Sequence, residues 1–428
     1  MNFGYRVFKK LNTVCAALLC LSFLVPLSAE ARVSSVGLAA GKMRHAAFHH
    51  HSSSRSRSSH KHGRTAHRFK HHSRRGHGGH ARAPQHSEVA ILVESENGSV
   101  ISEKNSEVAF NPASVVKLIT AYAALRKFSP EHRFNTSFYL DGELDEETGI
   151  MTGDAYIEGC NPDFKTSDAA DFIKELHDLG VKKITGKLVV APTFSMHWSG
   201  NPLQSGRSLA SALKRGRGGH RIALAGPVEV GSVSATAMRL VTHESKPLKQ
   251  TLKHMLAHSI NPMAEQIGRC VGGVDKLEEV AVSDARLPAG SVNLSSASGL
   301  GINRVNARDM MVLLKALRKE LQNKGSDLSD ILPLAGIEAG TMDRRFTAPH
   351  ERGSVIAKTG TLTTTDGGVS ALAGMVRCDK EDLYFIFFCW KGSVNGFRHQ
   401  QDQLIRQLQA DRGGPRRFDN NVAHAPAL

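Results

Sequence analysis

NPASVVKLIT, residues 111–120, is an apolar stretch that carries a hydroxyl and an amine three positions apart, Ser114 and Lys117. Asn111 and Pro112 mark a helix entrance, and the pattern after them predicts a helix from near Ala113 to about Lys127. Residues three apart in a helix share one face. A hydroxyl and an amine placed among Val115, Val116 and Leu118 cost free energy unless they satisfy each other or do chemistry. The rest of the chain decides between those readings.

On the N-terminal side, EVAILVES alternates like a strand, ENGS carries the Asn-Gly turn signal and VISEKNS returns, so 88–106 reads as an antiparallel hairpin. On the C-terminal side, 131–240 changes texture. It holds short strands (FNTSFYLDG, GDAYIEG, GKLVVAP), an amphipathic helix over 167–179 and a Gly/Arg-rich loop over 215–221. Helical pattern resumes over 247–258, after Asn261, and over about 307–319. GSVIAKTGTL, GVSALAGMVRC and LYFIFFCWKG then read as three strands, the last two joined by the turn DKED, with a final helix over about 397–408. The fold class expected is α+β: an antiparallel sheet built from both ends of the folded part and flanked by helices, with an inserted β-rich domain. The expected organisation is a signal over 1–31, a disordered tail over 32–87, a catalytic domain over 88–130 and 241–412, an insert over 131–240 and a disordered tail over 413–428.

The chain has 428 residues and a net charge of +15, but the charge is local. Residues 32–87 hold 12 Lys and Arg and no Asp or Glu, whereas the chain from Glu88 onward holds 40 bases against 39 acids. A near-neutral folded part argues against a nucleic-acid-binding domain. Arg6, Lys9 and Lys10, then an apolar run to about Leu27, then SAEA, make the three-part pattern of a secretory signal, with Ala29 and Ala31 at the expected cleavage site. The expected location is the periplasm, with membrane tethering if the signal stays uncleaved. Twelve of the 22 histidines lie between His45 and His86. That low-complexity segment has almost nothing apolar to bury. Three readings stay open for it: a solvated tether, a metal buffer, or a polycation that contacts an anionic envelope surface more strongly as pH falls through about 6.5. Beyond the signal, Cys160, Cys270, Cys378 and Cys389 show no metal-type spacing. An exported location permits disulfides, and the pairing is open.

S-x-x-K occurs at Ser114–Lys117 and again at Ser211–Lys214, which reads as a surface coincidence near a loop. S-x-N occurs at Ser95, Ser259, Ser291 and Ser393 among others, and K-T-G once, at Lys358-Thr359-Gly360. Order and context single out Ser114/Lys117 opening an apolar helix, Ser259/Asn261 between two helical segments, and Lys358-Thr359-Gly360 on a late strand. This triple resembles the penicillin-binding proteins and serine β-lactamases. The 147 residues between Ser114 and Asn261 are too many for a class A β-lactamase, while the 97 from Asn261 to Lys358 are ordinary. The chain from 88 to 408 is similar to the D-alanyl-D-alanine carboxypeptidase/endopeptidases, the class C low-molecular-mass penicillin-binding proteins, which carry an insert between the first two motifs. GDAYIEGCNPDF, ITGKLVV, SGLGINRVNARDMM and LPLAGIEAGTM add to the likeness. Departures are Ile260 where Asp is common, SSA before Ser298, and a shorter insert.

The resemblance implies a penicillin-binding/β-lactamase-like transpeptidase fold and a serine acyl-enzyme mechanism on peptidoglycan stem peptides, with β-lactams as covalent inhibitors and no cofactor, metal or nucleic acid. Ser114 would attack and Lys117 would take its proton. Partial burial would lower the Lys117 pKa, as would a second cation such as Lys358. Ser259 would relay the proton to the leaving amine, and Asn261 would hold Lys117 and the substrate amide. Lys358, Thr359 and Thr361 would receive the terminal carboxylate, with Gly360 letting substrate approach the strand. Backbone N–H groups of Ser114 and Thr361 would hold the oxyanion. Two other functions compete with this one. A β-lactamase needs an extra base on a water, and no convincing E-x-x-x-N element precedes the second motif, because the region over 131–240 reads as a domain rather than a loop. A non-catalytic envelope- or metal-binding protein would work through its His-rich tail.

Overall fold

DLYFIFFCW, residues 382–390, is apolar on both faces, which suits a strand covered on both sides. The computed structural model, which describes residues 88–418, shows why. The expected signal, the basic tail and residues 419–428 lie outside the described residues. This strand, β12 (Asp382–Trp390), is central in a five-stranded sheet with β1 (Glu88–Ser95), β2 (Val100–Lys104), β10 (Val355–Leu362) and β11 (Val369–Arg377). The order is β10-β11-β12-β1-β2 and every pairing is antiparallel. Tyr384, Ile386 and Phe388 join one core cluster. Leu383, Phe385 and Phe387 join another, on the opposite face. The strand's period of two thus divides one run between two cores.

Six helices follow the sheet strands or lie between them: α1 (Lys117–Lys127), α4 (Leu248–His258), α5 (Asn261–Val271), α6 (Val274–Ser283), α7 (Ala307–Gln322) and α8 (Val394–Asp411). The first core draws on α1, α4, α5, α6 and α7; Ile405 and Leu408 of α8 complete the second. Every residue of α1 from Lys117 to Leu125 is buried. A helix hidden on all sides needs an apolar sequence all round, and KLITAYAAL is that except at Lys117 and Thr120. The expected helix from Ala113 is in fact a 3₁₀ turn, Ala113–Val116, that passes into α1. Gly272 and Gly273, both at positive φ, separate α5 from α6, where one helical segment was expected.

Residues 135–244 build a second, seven-stranded sheet: β3 (Asn135–Asp145), β4 (Ile150–Gly159), β5 (Lys183–Ile184), β6 (Leu188–Val190), β7 (Ala223–Leu224), β8 (Val228–Val230) and β9 (Met238–Glu244). β3 pairs antiparallel with β4 and β9, while β4–β5, β4–β6, β5–β7 and β6–β8 are parallel. Phe138, Phe164, Phe172 and Phe194 cluster beneath it, with centroids 5.4–5.7 Å apart along the chain of contacts. Two helices cover this sheet, α2 (Ala170–Asp178) and α3 (Pro202–Arg215). The sequence pattern misses α3. Its buried face includes Ser205, Gly206 and Ala212, and Gly206 lies against Val190 and Val228, so only Leu209 and Leu213 mark that face with bulky apolar side chains. β9 runs four residues past the expected end of the insert.

Residues 413–418, which the sequence reading put in a disordered tail, pack against the fold. The Asp379 N–H donates to the Gly414 carbonyl, and the Phe418 N–H to that of Gly353. Phe418 is 8% exposed, with the Arg377 guanidinium 4.3 Å from its ring centre. Backbone hydrogen bonds and one buried aromatic together fix this short segment.

Candidate active site

The turn that carries Ser114 is held from three sides. The Asn111 side chain accepts from the Ala113 N–H (3.1 Å) and donates to the Gly301 carbonyl (3.0 Å) and to Asp366 Oδ2 (2.9 Å). Asp366 is itself gripped by both guanidinium nitrogens of Arg304, at 3.0 and 3.1 Å. Ala113 has φ +47°, a left-handed conformation that costs energy for a residue with a side chain. Gly299, at φ +84°, packs so closely that a Cβ would overlap the Ala113 carbonyl. Gly360 packs from the other side, where a Cβ would lie 2.5 Å from the Pro112 carbonyl oxygen. Gly360 therefore has a reason beyond the expected substrate access: β10 meets the Ser114 turn there.

Lys117 is 0% exposed. Its Nζ lies 3.0 Å from Ser114 Oγ, 2.7 Å from Asn261 Oδ1 and 2.7 Å from the Ser298 carbonyl oxygen. A neutral amine has two N–H donors and one lone pair. Two carbonyl acceptors and one hydroxyl that can donate match that inventory. Burial lowers the Lys117 pKa to about 7, and the Glu265 carboxylate opposes the shift. Glu265 also accepts from the Ser298 N–H at 2.9 Å, which fixes the loop whose carbonyl binds Lys117. One turn further along α1, Thr120 Oγ1 donates to the Ala297 carbonyl (2.6 Å).

Lys358 is also 0% exposed, and its Nζ donates to the Thr359 carbonyl at 2.7 Å. Burial holds its pKa well below the usual lysine range, and the charge of Lys117 presses it the same way. Of the two causes expected for the Lys117 shift, burial is the one that acts on it here, and the repulsion between the two lysines falls on Lys358.

Ser259 ends α4 in the left-handed region, φ +57°, and α5 begins two residues later with Asn261. Ser259 is half-buried, and among the described residues its hydroxyl has no hydrogen-bond partner. The structure therefore joins Ser114, Lys117 and Asn261 by direct hydrogen bonds, but not Ser259. At the end of β10, Thr361 Oγ1 accepts from Nη2 of Arg398 (3.0 Å), an exposed residue in the first turns of α8. The sequence reading missed Arg398, Glu265 and the Arg304–Asp366 brace. Glu265 had one signal, since it sits four residues after Asn261 on the same helix face. Arg398 had none. Among the described residues no group of three or more His, Cys, Asp or Glu side chains is arranged to hold a metal ion.

Comparison with known proteins agrees with this geometry. The sequence profile of the D-Ala-D-Ala carboxypeptidase 3 (S13) family matches residues 79–203 and 201–409. A carboxypeptidase of Mycobacterium tuberculosis is 26% identical over 371 residues, covering 74% of this chain and 79% of that protein. Among solved structures, a predatory endopeptidase of Bdellovibrio bacteriovorus superposes with a TM-score of 0.65 at 20% identity, covering 79% of this chain and 97% of that one. That endopeptidase has also been solved acylated by penicillin G. Penicillin-binding protein 4 of Haemophilus influenzae superposes with a TM-score of 0.64 at 20% identity, covering 75% and 97%.

Proposed function

The chain belongs to the D-Ala-D-Ala carboxypeptidase 3 (S13) family and is a serine-type DD-peptidase, and on that premise we propose that Ser114 is its nucleophile and Lys117 the base that activates it. The observation that carries this assignment is the set of partners around Lys117, which suits a neutral amine facing a hydroxyl. Ser114 Oγ attacks the carbonyl carbon of the penultimate D-alanine, and its proton passes to Lys117 Nζ. The backbone N–H groups of Ser114 and Thr361 take the oxyanion; one such donor is worth about 10²–10³ in rate. The C–N bond then breaks, and the leaving amine receives a proton through Ser259, whose unpaired hydroxyl is free to accept from one side and donate to the other. Asn261 keeps Lys117 in place. Water enters and gives its proton to Lys117, which returns it to Ser114 Oγ as the acyl group leaves.

The end of β10 is assigned to the substrate's free carboxylate, with Lys358, Thr359, Gly360 and Thr361 on the strand and Arg398 beside Thr361. An arriving carboxylate favours the proton on Lys358, and a charged Lys358 leaves Lys117 neutral. Binding and base activation then act in the same direction. A terminal D-alanine and a D-centred cross-link both present a carboxylate next to the leaving amine, so the proposal covers trimming and cross-link cutting. The same serine is proposed to open a β-lactam ring and remain acylated. The proposed place of action is the cell envelope, reached through the N-terminal signal. We keep the insert, 131–240, as a separate functional region and the basic tail as its envelope contact. Among the described residues no helix is long and apolar enough to cross a membrane.

D-alanine release from a peptide ending in D-Ala-D-Ala tests the reading. Lys117 must be neutral to act, so kcat/KM rises as pH climbs through about 7 and then levels. A rate independent of pH across that range would remove Lys117 from the base role.

A further inference from the structure

Two cysteines outside the catalytic machinery meet across the junction of the two sheets' elements. Cys160 directly follows β4 of the second sheet, and Cys270 lies near the end of α5, the helix that begins with Asn261. They are 110 positions apart in sequence, yet the Cys270 Sγ donates to the Cys160 carbonyl at 3.2 Å. Both side chains are half-buried, at the edge of the first core rather than inside it. The other two described cysteines have no such neighbour. Cys389 on β12 faces Ser370, and Cys378 lies eight positions further along, beyond the end of β11. At about 3.3 Å per residue the hairpin holds those two thiols far apart.

We propose that Cys160 and Cys270 form a disulfide in the working enzyme, a covalent staple between the second sheet and the helix that positions Lys117. The inference rests on the reading that the enzyme works in the cell envelope, where disulfides persist. The local chemistry favours Cys160 as the attacking sulfur. Donation from the Cys270 S–H lowers its pKa, against burial, and the Lys127 ammonium helps. Lys127 is anchored at the site, with Nζ donating to the Cys270 carbonyl at 2.8 Å. As the donor in that contact, Cys270 has its own pKa raised, and burial adds to the rise. The oxidant is a small or protein disulfide. The Cys160 thiolate attacks one of its sulfurs, breaks its S–S bond and releases one thiolate. That thiolate takes the Cys270 proton, and the Cys270 thiolate then attacks the Cys160 sulfur and expels the second thiolate. Two electrons and two protons pass to the oxidant, which leaves as a dithiol or as two thiols.

The test equilibrates the purified full chain in a glutathione buffer rich in the disulfide form, then blocks free thiols and maps peptides without reductant. The expected result is a single species linking the Cys160 and Cys270 peptides, with Cys378 and Cys389 blocked as free thiols. Recovery of Cys160 and Cys270 as separately blocked peptides would overturn the proposal. Because the buffer sets the redox conditions, this outcome does not depend on export. The same map on protein from the native cell envelope tests the compartment. Thermal unfolding supplies a second reading: reductant should lower the wild-type midpoint by on the order of 5 °C and leave the Cys160→Ser/Cys270→Ser variant unmoved. A wild-type midpoint that ignores reductant would contradict the staple.

Discussion

The chain writes S-x-x-K twice on helical turns, at Ser114–Lys117 and at Ser211–Lys214, and the two sites share nothing else. Ser211 and Lys214 both face solvent on α3, where the Ser211 hydroxyl accepts from Arg215 (2.8 Å). Lys117 is sealed from water, has three partners and has a pKa brought down to about 7. An exposed ammonium stays hydrated and protonated, so it cannot take a proton from a neighbouring hydroxyl near neutral pH. Burial, and the carbonyls that burial brings close, separate a base from a surface charge.

Substitution at both copies gives the largest contrast. Ser114→Ala should abolish D-alanine release, while Ser211→Ala leaves it unchanged. Equal losses would erase the distinction. One step down, Lys117→Ala should cost about 10²–10⁴ in kcat/KM, the usual worth of a general base. Lys214→Ala should be silent. Gly299→Ala tests how far the buried copy depends on its walls. A Cβ there meets the Ala113 carbonyl from a left-handed backbone, so stability should fall by roughly 2 kcal/mol or more and turnover with it. Denaturant melts that match wild type would show that the turn gives way freely. Arg398→Ala reaches only the recognition end. KM should rise about tenfold with kcat nearly kept, the loss of one charge-assisted hydrogen bond; a drop confined to kcat would move Arg398 into the chemical step. The smallest effect is expected at Glu265→Gln. The Glu265 charge raises the Lys117 pKa, so its removal should move the rising limb of the pH–rate profile to lower pH, while the amide oxygen still accepts from Ser298. A limb moved upward would reverse that electrostatic assignment.

Local pattern revealed the first sheet well, because each strand and turn is a contiguous signal. The hairpin read over 88–106 is β1 and β2, and LYFIFFCW is the centre of β12. Pattern failed where burial is made from small residues, as on α3, and where a helix breaks at paired glycines, as between α5 and α6. The motif residues Ser114, Lys117, Asn261 and Lys358 were legible because their spacing and order are local or one-dimensional. Glu265, Arg304, Asp366 and Arg398 were not, because each acts across more than 30 residues of chain. The two-sided packing on the Ser114 turn explains Gly299 and Gly360 only once the strand and the loop are seen to meet there.

Labelling with a fluorescent penicillin, read by intact mass on the wild type, Ser114→Ala and Ser211→Ala, tests the central claim most directly. The account predicts one stable adduct on the wild type and on Ser211→Ala, and none on Ser114→Ala. An adduct that survives Ser114→Ala, or none on the wild type with the penicillin left intact, would contradict it.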